Sequence, residues 1–270
     1  MTVEAIRTPA RERLAIGAAL VLITLLGWAY MLRMARGAPE HGHGHMDLIA
    51  MPAPSGWDWQ LLGLSATMWC VMMTAMMLPS ATPFAVMYAR TIQTRRLPRL
   101  ILFTAGYLLV WAASGIPAYG LAWVSGEAAD AGTAGTVLAA GIFGIAGIYQ
   151  LTSLKYRCLT HCRSPLAHMF HYASYKGPTR DLKAGLHNGY YCLGCCWSLM
   201  ILMAAFGVMN VFAMLVLAVI VAAEKLLPHG DRFSKATGLG LIAMAVAVVW
   251  FPDMAPGLTS DSMMNPAMMP

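Results

Sequence analysis

Apolar blocks of about 20 residues, separated by short polar stretches, recur along this chain. A helix needs roughly 20 apolar residues to cross the hydrocarbon of a bilayer. Seven blocks are long enough, near residues 14–32, 59–79, 100–124, 135–154, 186–206, 208–226 and 236–252. The fifth and sixth form one run from about Leu186 to Leu227, which is too long for one crossing and right for two. Gly207 to Asn210 is the expected tight turn between them. The first block has a basic start and a small-residue site near Ala35-Arg36-Gly37, features of a signal peptide. Its apolar core of about 19 residues exceeds the usual ~7–15 of that role, so it is read as a helix. The expected fold class is all-α, a polytopic transmembrane helical bundle.

The basic residues orient this bundle. The N-terminus and the loops after the second, fourth and sixth blocks hold sixteen of the eighteen Lys and Arg residues. The opposite side has only Arg33 and Arg36. Cytoplasmic loops carry such an excess, so the N-terminus is expected inside and the C-terminus outside. Seven crossings preserve this split; merging the fifth and sixth breaks it. The net charge of +6 is then a topology signal and does not point to nucleic acid. Composition agrees, with 59% hydrophobic and 11% charged residues against about 25% charged in a soluble domain. Three regions are expected. Residues 1–56 form an anchor helix with a His-rich outer loop, 57–252 the main transmembrane domain, and 253–270 a Met-rich tail.

Cysteine is the first candidate for chemistry. Five of the six cysteines fall between Cys158 and Cys196, beside His161, His168, His171 and His187. Cys158, His161 and Cys162 lie in a polar, loop-like segment after the fourth block. Cys192, Cys195 and Cys196 lie at the expected cytoplasmic end of the fifth. Thiols on that side stay reduced, which favours metal or redox chemistry over structural disulfides. The spacings C-x3-C and C-x2-C-C suit chelation, because one helical turn brings i, i+3 and i+4 to one face. The candidate ligands are Cys158, His161, Cys162, Cys192, Cys195 and Cys196. The bland alternative is buried Cys acting as a small hydrophobe, which suits Cys70 better than the polar segment around Cys158.

Methionine forms a second pattern. Met68, Met72 and Met76 repeat at i+4 in the second block, with Cys70, Met73 and Met77 as the neighbouring stripe. In the fifth block Cys192, Cys196, Met200 and Met203 share a face. Such stripes are usually packing, but thioether and thiolate at one depth suit copper(I). Cys70, Met72, Met73, Met76, Met77, Met200 and Met203 are the candidate soft-metal path. Outside, His41, His43 and His45 alternate with glycine, and Met263, Met264, Met268 and Met269 lie in the tail. A tail has no core to fill, so these residues are candidate capture ligands.

Few charges interrupt the blocks. Glu224 and Lys225 adjoin near the cytoplasmic interface, where snorkelling or pairing is expected. The chain has no Walker loop, Rossmann fingerprint or Ser-His-Asp pattern.

Three segments carry a resemblance: Ala75-Met76-Met77-Leu78-Pro79-Ser80, the run Lys155 to Leu166 with its Cys-Leu-Thr-His-Cys centre, and Gly189 to Trp197 with Tyr-Cys-Leu-Gly-Cys-Cys-Trp. Together they resemble a bacterial family of integral membrane proteins described as metal-binding, with a domain of unassigned function, over roughly Trp57 to Pro228. The resemblance implies class and motif positions and no particular reaction. The resulting expectation is a multi-pass protein of the bacterial inner membrane that handles copper(I), with zinc the alternative, in uptake, delivery or sensing. Its expected partners are the lipid bilayer, the metal ion and a metallochaperone or metalloenzyme client. The rival readings are a membrane enzyme or electron-transfer subunit with a Cys/His metal site, thiol–disulfide exchange at Cys195 and Cys196, and a zinc-pinned scaffold.

Overall fold

In the computed structural model, residues 10–37, 59–92, 96–130, 133–164, 168–169, 171–172, 174–206, 210–255 and 258 are described. They form helices α1 (Ala10–Gly37), α2 (Trp59–Thr91), α3 (Arg96–Asp130), α4 (Thr133–Gln150), α5 (Ser153–Arg163), α6 (Arg180–Met200), α7 (Leu202–Phe206), α8 (Val211–Leu226) and α9 (Gly230–Trp250). A 3-10 turn follows at Pro252–Met254. No strand occurs among the described residues, and the class is all-α as expected. His41, His43, His45, Met263, Met264, Met268, Met269 and the expected turn at Gly207 to Met209 lie outside the described residues.

Five segments are long and apolar enough to cross a membrane: Ala66–Ala89, Leu97–Leu121, Thr133–Gln150, Arg180–Phe206 and Gly230–Trp250. The first and sixth expected blocks appear as shorter apolar stretches, Gly17–Arg33 within α1 and the 16 residues of α8. Large apolar side chains face outward on several helices, with Val137 at 72% and Phe212 at 76% exposure. A water-facing surface avoids a broad apolar belt of this kind; hydrocarbon accommodates it.

One boundary differs from the sequence reading. The second block was expected to stop at Pro79, but α2 runs through Pro79 and Pro83 to Thr91. In this stretch the Ser80 hydroxyl donates to the Met77 carbonyl at 2.9 Å, and Thr82 donates to Leu78 at 2.8 Å. The helix tolerates both prolines because it is packed against its neighbours through this stretch, with Leu78, Phe84 and Ala85 buried.

Small residues set the closest helix pairing. On α6, a Cβ added to Gly185 would land on the backbone carbonyl of Phe103 in α3. Glycine on α6 therefore lets the two backbones touch. The N-terminal end of α6 in this pair is locked by Asp181, which accepts from Arg99 at 2.9 Å and from Tyr88 of α2 at 2.6 Å. α9 runs along α4 on the other side of the bundle, and the short α5 packs against α6 and α8. The largest core lies between α2, α3, α4, α6 and α8 and contains both the thiols and the methionines.

Candidate metal centre

The segment from Lys155 to Cys162 is helical where a loop was expected. The Thr152 hydroxyl caps α5 by accepting from the Lys155 amide at 3.2 Å. Lys155, Cys158, Leu159 and Cys162 then recur at helical spacing, and this stripe turns toward the core. Polar residues such as Arg157 and Thr160 occupy the exposed side. The polarity that made the segment look like a loop is thus that of one face of an amphipathic helix.

Cys192, Cys195 and Cys196 are also displaced from expectation. α6 starts at Arg180, so these thiols sit about halfway along Arg180–Phe206 and not at its end. All three are buried. The Cys162 sulfur approaches Cys195 Sγ at 3.7 Å, and Cys195 Sγ lies 3.3 Å from Cys196 Sγ. Nearby Cys192 is the main influence that pushes the Cys162 thiol well above its usual range, opposed by Cys195 and reinforced by burial. Four thiols from two helices therefore meet. Cys158, one turn earlier on α5, lies against Gly194, where a Cβ would come within 2.8 Å of its sulfur. Burial raises the Cys158 thiol while nearby Lys155 opposes the rise.

Two sulfurs on one ion with bonds of about 2.3 Å lie roughly 3.8 Å apart at the tetrahedral angle. The 3.7 Å between Cys162 and Cys195 fits that spacing. Among the described residues, however, no three His, Cys, Asp or Glu side chains already surround a common point. The sulfur contacts are pairwise, Cys162 with Cys195 and Cys195 with Cys196.

The residues that sequence reasoning missed are the charges around the thiols. Lys225 of α8 donates to Cys192 Sγ at 3.0 Å and to Ser80 Oγ at 3.3 Å. The Tyr107 hydroxyl of α3 is 3.1 Å from the same sulfur. Lys155, 1% exposed, donates to Glu224 Oε2 at 2.6 Å and to the Cys195 carbonyl. Gln150 donates to the other Glu224 oxygen at 2.8 Å and accepts from Ser234 at 3.1 Å. The Tyr149 hydroxyl donates to the Gly194 carbonyl at 2.5 Å. Glu224 and Lys225 are paired as anticipated, but with partners on other helices, and both are buried, so neither snorkels. The signal in the sequence was Lys155 sharing the i, i+3, i+7 stripe with Cys158 and Cys162.

His161 points to a different neighbourhood. Its ring stacks on Tyr191 at 3.8 Å and on His168 at 3.4 Å between centroids, with His187 at 5.3 Å. The Tyr172 hydroxyl lies 3.1 Å from His187 Nδ1 and 3.4 Å from His161 Nε2. Burial, followed by the charges of His168, His187 and His171, holds the His161 pKa down to about 3. The sequence grouped His161 with the cysteines; the structure groups it with rings.

The methionines share the thiol core. Met72, Met73, Met76, Met77, Met200 and Met203 are all buried in it, joined by Met31 and Met214, which the sequence did not single out. Cys70 is only half-buried. The Met77 carbonyl accepts from Ser80, Ser80 contacts Lys225, and Lys225 contacts Cys192, so the methionine face of α2 ends at the thiol level. An apolar cavity of about 990 Å³ lies beside them, with Trp69, Trp111, Cys158, Trp197, Met200 and Met203 in its wall.

A family model described as PpoB2, copper chaperone, matches residues 66–248. The chain belongs to that family. The matched region runs from α2 almost to the end of α9 and includes every thiol and the charged residues around them, Lys155, Glu224 and Lys225. No curated protein and no solved structure matches the chain. Membership of the copper chaperone family gives the chain a copper-related role.

Proposed function

We propose that this protein holds copper(I) as cargo in the buried pocket of Cys162, Cys192, Cys195 and Cys196. The observation that carries this reading is the convergence of four reduced thiols from α5 and α6 inside a methionine-lined core. Thiolate and thioether are soft donors and select copper(I) over harder ions. Cys158, in the cavity wall, serves as the first or last thiol touched as the ion enters or leaves. Cys70, Met72, Met73, Met76 and Met77 of α2, Met200 of α6 and Met203 of α7 form the rest of the path. His41, His43, His45, Met263, Met264, Met268 and Met269 collect copper outside and add nothing to the buried pocket. The client that receives the ion is a metallochaperone or metalloenzyme, and the setting is the bacterial inner membrane with the thiol-bearing α5 on the cytoplasmic side.

The test is anaerobic competition for copper(I) between the purified full-length protein and a chromophoric chelator. The Cys192→Ser/Cys195→Ser protein should lose tightly bound copper. A protein truncated after Asp261 with the three outer histidines changed to Ala should retain it. Full copper retention in the cysteine variant would overturn the reading.

A further inference from the structure

We propose that Lys225 is the fixed counter-charge of the thiol pocket and selects a complex in which one monovalent soft cation is held by two thiolates. The proposal rests on the copper reading above and deepens it.

The argument begins with a census of buried charge. Among the described residues, the buried charged side chains are Lys155, Asp181, Glu224 and Lys225. Asp181 is paired with Arg99, and Glu224 with Lys155. Among the described residues Lys225 has no carboxylate partner; its ammonium contacts a sulfur and a serine hydroxyl. A buried charge without compensation is expensive, and an ammonium offers three donors and no acceptor. The negative charge it faces has to come from sulfur.

The geometry supports this. Cys192 Sγ receives Lys225 from α8 at 3.0 Å and meets Tyr107 from α3 at 3.1 Å, so three helices converge on one sulfur. Lys155 is not available for the same task, because Glu224 and the Cys195 carbonyl take its donors. Ser80 holds the Lys225 ammonium from the α2 side. The cation is thus placed at the pocket wall by packing and hydrogen bonding on two sides.

Charge arithmetic then discriminates between complexes. Copper(I) with two thiolates carries one negative charge, and one ammonium neutralises it. Copper(I) with three thiolates carries two, leaving one unbalanced in a low-dielectric core. A divalent ion with two thiolates is neutral and leaves Lys225 itself without compensation. With three thiolates it carries one negative charge and is balanced, and there the softness of the thiolate and thioether donors is what favours copper(I). The pocket therefore favours the two-thiolate copper(I) complex, and any further ligand should be a neutral methionine from the surrounding core. Cys192 is one of the two thiolates, because it carries the ammonium contact.

The experiment uses full-length protein in detergent, with copper(I) as the probe and a chromophoric chelator as competitor. Lys225→Met should weaken copper(I) binding by about 10–100-fold, the range seen when the groups that support metal ligands are removed. Lys225→Arg, which keeps the charge, should bind within a few-fold of wild type. X-ray absorption should count two short copper–sulfur bonds in the wild-type and Arg proteins. Lys225→Gln, which keeps a donor for Ser80, replaces the Met variant if that protein does not fold. Binding by the Met or Gln variant at the wild-type level would overturn the proposal. So would an equal loss in the Arg variant, or three short thiolate bonds in the wild type. Cys192→Ser/Cys195→Ser separates the two readings. If it still holds copper, the pocket itself is wrong; if it is empty while Lys225→Met binds normally, only the counter-charge fails.

Discussion

Removing one member of the Lys155–Glu224 pair should damage the protein more than removing both. Both side chains are 1% exposed, and their charged atoms are 2.6 Å apart. In Glu224→Leu, the Lys155 ammonium keeps only the Cys195 carbonyl, and Gln150 loses an acceptor. Breaking a buried pair in this way costs about 3–5 kcal/mol. For a chain of this size that corresponds to roughly 6–20 °C in apparent melting temperature. Lys155→Met should cost about the same by stranding the carboxylate. In the double variant Lys155→Met/Glu224→Leu no charge is stranded. The remaining penalty is the unpaired Gln150 amide and Cys195 carbonyl, about 1–3 kcal/mol for each group left buried and unbonded. Packing gained by Met and Leu offsets part of it. Thermal unfolding in one detergent, read by tryptophan fluorescence, gives all four corners of the cycle. The double variant should melt above at least one single variant. A double variant that loses the sum of the two single losses would refute the reasoning, because the pair would then contribute no coupling.

Three further outcomes follow from other parts of the fold. Gly185→Ala places a methyl against the Phe103 carbonyl, so α3 and α6 must separate; the thermal stability should fall by about 1–3 kcal/mol, and an unchanged melting curve would contradict the close approach. His161 has a folded pKa depressed from about 6.5 to about 3, so its contribution is fully present above about pH 6.5 and is lost as pH falls toward 3. His161→Phe should flatten the stability profile across that window, and identical profiles would count against the buried neutral ring. A reporter fused at the C-terminus should be active outside the cytoplasm and one after Arg99 inside, as the charge split requires; a cytoplasmic C-terminus would refute the seven-crossing orientation.

The sequence by itself determined the class of fold and the residues worth watching. Block length was enough to place the long apolar helices, because an α-helix satisfies its own backbone and the bilayer thickness sets its length. Cysteine spacing was enough to place Cys158 and Cys162, and Cys192, Cys195 and Cys196, within single helical turns. The family match over residues 66–248 agrees with the copper-related direction of that reading. Local pattern misjudged the ends of elements. The second block was placed near 59–79 although its helix runs on to Thr91, and the polar Lys155–Cys162 segment looked like a loop, because a helix can continue past the apolar block and a polar helix face reads as loop until its buried face is known.

Tertiary structure alone decided which residues share an environment. Cys162 meets the α6 thiols while His161, its neighbour in the chain, stacks on Tyr191, because successive helical residues point about 100° apart. Glu224 and Lys225 are adjacent in sequence, yet one faces Lys155 and the other Cys192. Nothing in a linear reading couples residue 225 to residues 192 and 80. That coupling exists because a buried charge must find its partner in space, and only the packing of α2, α6 and α8 brings one within reach.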